Sequence, residues 1–148
     1  MNKLRGCLLL LFVFAMTPAL VAAQQDEAAP KEHAIDKALG RCVDKDPSTA
    51  GMVNCIGQAA RSWDRELNTS YRRLMGKLAP PQRAALKLAQ QAWLKYRDRE
   101  FALIDALYAK MEGTMYIPMH AEARVRIVKR RAIELAGDLD LIEYFENP

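Results

Sequence analysis

The sequence predicts an all-α protein, a small helical bundle built on a long antiparallel helix hairpin and held by one disulfide. Three observations predict it. From Ile35 to Leu135, apolar residues recur at three- and four-residue steps, the period of one helix face. No stretch alternates apolar and polar residues between turn signals as a strand or hairpin would. Turn-forming residues at Asp46-Pro47-Ser48, Pro80-Pro81 and Gly113-Thr114 divide the periodic stretches from one another.

The N-terminus reads as a targeting segment rather than as structure. Lys3 and Arg5 give it positive charge, Leu8 to Met16 are apolar, Pro18 breaks the run, and Val21-Ala22-Ala23 are the small residues a signal peptidase reads. Residues 1–23 are therefore expected to be a signal peptide cleaved after Ala23, placing the mature chain in the periplasm or outside the cell. The apolar run is shorter than the roughly 20 residues a membrane span needs, so no span is expected. Cys7 precedes the apolar run, whereas a lipid-anchoring cysteine follows it. Residues 24–32, polar and alanine-rich with Pro30, form a flexible lead-in. Residues 33–148 are then a single domain.

Within that domain a short helix carries Ile35, Ala38, Leu39 and Cys42. Asp44, Asp46, Pro47, Ser48 and Gly51 supply turn chemistry after it. A long helix is expected from Met52 to about Leu78, with Ile56, Ala59 or Ala60, Trp63, Leu67, Tyr71, Leu74 and Leu78 on one stripe. Pro80-Pro81 ends it, and Pro81 fits the first turn of the next helix, where its missing N–H costs nothing. That helix runs from about Gln82 to Met111 on Leu86, Ala89, Trp93, Leu94, Phe101, Ile104 and Tyr108. Gly113-Thr114 stops it, and Tyr116-Ile117-Pro118 reads as an extended link. A further helix starts near His120, with Ala121, Val125, Val128, Ala132 and Leu135 inward. Gly137 should close it, leaving Leu139 to Phe145 as a terminal turn that packs back.

Two long helices joined by a proline turn predict an antiparallel pair in which facing positions sum to a constant. Placing Asp64 opposite Arg97 sets Asn68 against Trp93 and Tyr71 against Gln90. Each pairing is chemically sensible: an ion pair, an amide with an indole N–H, and a phenol with an amide.

Charge and cysteines narrow the function classes. Removing Lys3 and Arg5 from the 22 basic residues leaves 20 against 18 acidic ones, a near-balanced chain with no case for nucleic-acid binding. Cys7 leaves with the signal, so Cys42 and Cys55 remain as an even pair in an oxidising compartment, and a disulfide is expected. Closing so short a loop contributes about 3 kcal/mol, mostly through the unfolded chain. A redox or metal pair would need CxxC spacing or nearby histidines, and neither is present. His33 and His120 stand far apart, no serine elbow or glycine-rich phosphate loop occurs, and no cofactor or metal is expected. Asp64 and Asp98 are a candidate carboxylate pair of the kind glycosidases use, but the helix register surrounds both with basic or polar neighbours, so a structural role is expected.

The run Trp63-Asp64-Arg65-Glu66-Leu67-Asn68-Thr69-Ser70-Tyr71-Arg72-Arg73-Leu74 resembles the D-x-x-L-N-x-x-Y-x-x-L signature of LprI-type lysozyme-inhibitor domains. Leu88-Ala89-Gln90-Gln91-Ala92-Trp93-Leu94-Lys95-Tyr96-Arg97-Asp98 resembles their A-Q-x-A-W-x-x-x-R-D segment. Cys42 and Cys55 match the opening cysteine pair, and Gly113-Thr114 with Arg131-Ala132-Ile133-Glu134-Leu135 match the closing part. The resemblance covers about residues 42 to 135. It departs at Phe101 and Ala123, where relatives often carry two further cysteines; losing both together suits a second disulfide replaced by packing.

The resemblance implies an exported, non-enzymatic protein-binding domain that inhibits a lysozyme or other peptidoglycan hydrolase, or an immunity-type protein against one. Asp64, Leu67, Asn68, Tyr71, Gln90, Trp93, Arg97 and Asp98 carry the motifs and read first as internal glue of the helix pair. Arg124, Arg126, Lys129, Arg130 and Arg131 form a basic stretch that is the candidate interaction surface, with Tyr96 and Arg99 as further candidates. The alternative is an envelope-associated structural protein binding cell-wall polymer or an anionic surface through that stretch. A slightly basic chain suits a cationic host lysozyme poorly, so a bacterial hydrolase is an equally reasonable target.

Overall fold

The structure, a computed structural model, describes residues 32–146, and contacts divide the chain between Lys31 and Glu32. The expected signal peptide, residues 1–23, and the lead-in up to residue 31 lie outside the described residues. Four helices and no strand make up the rest: α1 (Ala34–Lys45), α2 (Thr49–Lys77), α3 (Pro80–Tyr108) and α4 (Tyr116–Glu146). The all-α fold class and its disulfide are as the sequence predicts.

Helix α1 starts on His33, whose Nδ1 accepts the backbone N–H of Ile35 at 3.2 Å and so satisfies a donor the helix leaves orphaned. Cys42 and Cys55 are bonded, with Cα atoms 5.7 Å apart, and α1 lies antiparallel on α2. Helix α2 begins at Thr49, three residues before the expected Met52, because Ser48 makes an N-cap. Its Oγ accepts the N–H of Gly51 at 3.0 Å and donates to Asp46 Oδ1 at 2.7 Å. A side chain at position 51 would run into the carboxyl group and carbonyl of Asp46, so glycine is required there by close approach.

Helix α3 takes both Pro80 and Pro81 into its first turn, and Gln82 Oε1 accepts the N–H of Ala79 at 3.0 Å. It ends at Tyr108, sooner than expected. Gly113, with φ of 107°, turns the chain into α4 in a conformation that side chains disfavour. Two expectations for α4 are corrected. Tyr116-Ile117-Pro118 is not an extended link but the first helical turn, where a proline loses no hydrogen bond. Gly137 does not close the helix, which continues to Glu146 because Leu139 and Ile142 still have a core to join.

The core lies chiefly between α2 and α4. Ile56, Ala59, Trp63, Leu67 and Leu74 meet Val125, Ala132, Leu135 and Leu139, all buried. Each fully buried leucine here stabilises the fold by about 1.5–3 kcal/mol. These two helices run parallel: Lys129 lies over Trp63, while Arg73 pairs with Glu143 at 2.9 Å and Lys77 with Glu146 beyond it. Helix α3 carries the chain back between them and packs antiparallel on α4, joining Gln90 to Arg131 and Asp105 to Arg124. The helix–turn–helix of α2 and α3 is present, but the two are not each other's main packing partners. Nothing on α3 is fully buried; Leu86 and Trp93 reach the core only at its edge.

Candidate functional site

Because α3 leans on α4, an open groove remains between α3 and α2. It has a volume of about 340 Å³. Asp64, Leu67, Asn68 and Tyr71 line it from α2, and Gln90, Trp93 and Arg97 from α3. The helix register expected from sequence thus brings the motif residues to one place, with Asp98 beside them. Lys87, Gln91 and Leu94 also line the groove; the sequence reading placed Leu94 on the apolar stripe but did not single out Lys87 or Gln91. The three follow one another at four- and three-residue steps, so helical spacing was the signal available.

The pairings inside the groove differ from those expected. Asp64 and Arg97 form no ion pair. Asn68 Nδ2 instead donates to the Asp64 carbonyl at 2.7 Å and to its Oδ2 at 3.1 Å, a contact within α2. Arg97 donates to Asp98 Oδ1 from Nη2 at 2.7 Å and from Nε at 3.0 Å. Its guanidinium also lies 5.6 Å from the Trp93 ring centre. Gln90 Oε1 accepts from Arg131 Nε at 3.1 Å, leaving its NH2 group for the groove. Leu67 belongs to the core, whereas Asp64 and Asn68 are exposed and Trp93, Tyr71 and Gln90 half-buried. Polar groups around two aromatic side chains can hold a polar ligand segment. The carboxylates of Asp64 and Asp98 each have a neighbour within hydrogen-bond reach.

The basic stretch of α4 is dispersed rather than gathered. Arg124 binds Asp105 through both carboxylate oxygens, at 2.6 and 2.9 Å. Lys129 pairs with Asp36 at 2.7 Å and sits 5.4 Å from the Trp63 ring centre, tying α1 to α4. Arg131 holds Gln90 and Glu134. Arg126 and Arg130 are exposed. Tyr96 is exposed near a small pocket with Trp93 and Arg130, and Arg99 is exposed on α3.

Neither histidine is isolated. His33 stacks on the buried Trp63 ring at 4.4 Å. His120 Nε2 lies 2.7 Å from Asp105 Oδ1. Arg124 first, and then His120, hold the Asp105 carboxyl below its ordinary range by hydrogen bonding. Sequence reading passed over Asp105, although the spacing of His120 and Arg124, one helical turn apart, marked a shared face. Phe101 is half-buried under Arg124, whose guanidinium is 4.3 Å from the ring centre, and Ala123 is buried. An aromatic ring and a methyl group therefore occupy the two positions where the family resemblance implies a further cysteine pair.

Fold and groove define a disulfide-pinned helical scaffold that presents one open, motif-lined face. The chain belongs to the lysozyme inhibitor LprI family, whose model matches residues 42–135. It is also similar to the crystal structure of an uncharacterized protein from Burkholderia thailandensis, at 32% identity and a TM-score of 0.70. That match covers 76% of this chain and 56% of the other, so this chain spans little more than half of that relative's length. No curated protein matches the chain. No helix among the described residues is long and apolar enough to cross a membrane.

Proposed function

We propose that the chain is an exported, non-enzymatic protein-binding domain that inhibits a lysozyme-type peptidoglycan hydrolase and grips it at the α2–α3 groove. One observation carries the reading: seven motif residues, Asp64, Leu67, Asn68, Tyr71, Gln90, Trp93 and Arg97, line a single open groove, and of these only Leu67 is buried in the core. Export is supported by the charged, apolar and small-residue succession over residues 1–23 and by the Cys42–Cys55 bond. A binding role is favoured over catalysis because Asp98 is paired with Arg97 and Asp64 is bonded to Asn68, so these two carboxylates are engaged by neighbours rather than poised as an acid–base pair. Residues 33–148 would act as one domain.

The test is inhibition of a panel of peptidoglycan hydrolases by micromolar purified protein. Slowing of at least one enzyme is expected, with loss of that effect in a Trp93→Ala, Asn68→Ala double variant that still unfolds cooperatively. If no hydrolase binds or slows, the inhibitor reading is wrong; if the double variant inhibits as well as the parent, the groove is not the contact.

A further inference from the structure

The charges of α4 are segregated along its length. All five of its lysines and arginines precede Ile133, and five of its six acidic residues follow it. Peptide dipoles favour anions near a helix N-terminus and cations near its C-terminus, so the helix's own electrostatics do not call for this order. Contacts within the chain use part of it. Arg124, Lys129 and Arg131 are paired with Asp105, Asp36 and Glu134, while Arg73 and Lys77 of α2 take Glu143 and Glu146. Arg126, Arg130, Asp138 and Asp140 are exposed, with no ion-pair or side-chain hydrogen-bond partner among the described residues.

The same helix leaves an apolar stripe uncovered. Its buried side carries Ala132, Leu135 and Leu139 into the core. On the opposite side the helical period sets Arg126, Arg130, Ile133, Leu141 and Tyr144 in one line, with Phe145 beside the last. Ile133, Leu141, Tyr144 and Phe145 are 48, 57, 69 and 72% exposed, and the two aromatic rings meet edge-on with centres 5.6 Å apart. Four large apolar side chains left in water on one helix face forgo the stabilisation that burial gives, so the folding of a single chain does not account for them. Aromatic rings beside arginines are the composition of an interface.

Charge identifies the occupant. An anionic membrane or cell-wall polymer lying along the stripe would be drawn to its basic half and repelled by Asp138 and Asp140 in the other. A second copy of the helix, turned end for end, meets no such repulsion, because the acidic half of each lies over the basic half of the other. A two-fold axis makes that contact twice, since each residue meets in the partner the residue that meets it in return. Parallel copies would set arginine against arginine and aspartate against aspartate, so the order of charges selects the antiparallel arrangement. Exposed ion pairs contribute only about 0–1 kcal/mol each, so the apolar stripe supplies the affinity and the charges supply the orientation.

We propose that the protein self-associates into a two-fold dimer through the outward face of α4. The two helices run antiparallel, with Arg126 and Arg130 of each over Asp138 and Asp140 of the other. Ile133, Leu141, Tyr144 and Phe145 are buried between them. Ile133 stands midway along the helix between the basic pair and the acidic pair, which places it at the two-fold axis. None of these residues lines the α2–α3 groove, so the dimer does not rest on the inhibitor reading.

The experiment is sedimentation velocity on the purified, oxidised protein from micromolar to submillimolar concentration. A concentration-dependent dimer is expected, and added salt should weaken it severalfold by screening the charges. Arg126→Glu with Arg130→Glu, and separately Asp138→Lys with Asp140→Lys, are each expected to leave the protein monomeric over that range with the helical content of the parent. Mixed in equal amounts, the two variants should dimerise again, because the reversed charges then face their opposites. Leu141→Ser with Tyr144→Ser should abolish association at any salt concentration. A parent that stays monomeric throughout, or variants that dimerise as well as the parent, overturns the interface. Two charge variants that stay apart when mixed overturn the antiparallel arrangement. Should a variant misfold, the amide NMR spectrum of the parent decides the matter: rising concentration must shift the signals of Arg130, Ile133 and Leu141 and leave those of Ser62 and Asn68 in place.

Discussion

Trp63 is the largest side chain fully buried among the described residues. It is 1% exposed, receives His33 on its ring, and lies under the Lys129 ammonium that Asp36 holds in place. One indole thus joins α1, α2 and α4. Trp63→Ala is expected to cost about 3–5 kcal/mol, measured by denaturant unfolding followed by far-UV circular dichroism. A loss under about 1 kcal/mol would mean that the site collapses around the cavity and that the three-helix junction is not what it holds. Removing the Ser48 hydroxyl is a smaller change. Ser48→Ala should cost about 1 kcal/mol by freeing the Gly51 N–H, read in the same unfolding experiment. Trp63 was legible as a core residue from its place on the apolar stripe. His33 and Lys129 were not, because their partners are remote in sequence and a charged or imidazole side chain shows no periodicity of its own.

At the scale of the elements, glycine is the informative residue. Gly137 lies inside α4, and nothing stands within 4 Å of the methyl that alanine would add. Gly137→Ala should therefore stabilise the protein by about 0.5–1 kcal/mol, by restricting the unfolded chain and favouring helix. A fall in melting temperature would show that α4 ends at that glycine in solution, as local propensity alone suggests. The seam between α3 and α4 offers another test. Phe101 and Ala123 stand where the family resemblance implies a further cysteine pair, and Arg124 roofs Phe101. Phe101→Cys combined with Ala123→Cys should oxidise to a second disulfide, seen as a loss of two hydrogens in the intact mass and restored by reduction. Persistent free thiols would place the two positions too far apart for the packing described. Helix existence was readable throughout, since a stripe spanning several turns has one plausible cause. The start of α2 was misread because the Ser48 cap was passed over, and both ends of α4 because prolines and glycines act locally, whereas those ends are set by what the outer turns pack against.

For the molecule as a whole, the disulfide is the restraint on the N-terminal end. No residue of α1 is fully buried, so that helix relies on Cys42–Cys55 and on the Asp36–Lys129 pair more than on a core of its own. Reduction, or replacing both cysteines by serine, should lower stability by about 3 kcal/mol, measured as a shift in unfolding midpoint with and without reductant. Unchanged stability would assign the attachment of α1 to the Trp63 junction instead. The groove has the same origin as the pairing of the helices. Helix α3 is as long as α2, so it returns the chain to the level where α2 begins, and α4 can then run beside α2 in parallel.

The sequence by itself determined the helical class, the disulfide, the spacing of the motif residues along α2 and α3, and the family. All of these are set by local periodicity, cysteine number or residues at fixed spacing. The tertiary structure decided which helices share the core. Several apolar faces of similar strength compete for each other, and burial depends on the whole set at once rather than on which neighbour comes next in the chain. For that reason α4 took the place beside α2 that the sequence assigned to α3. The motif residues, read as glue between two packed helices, came to line an open groove.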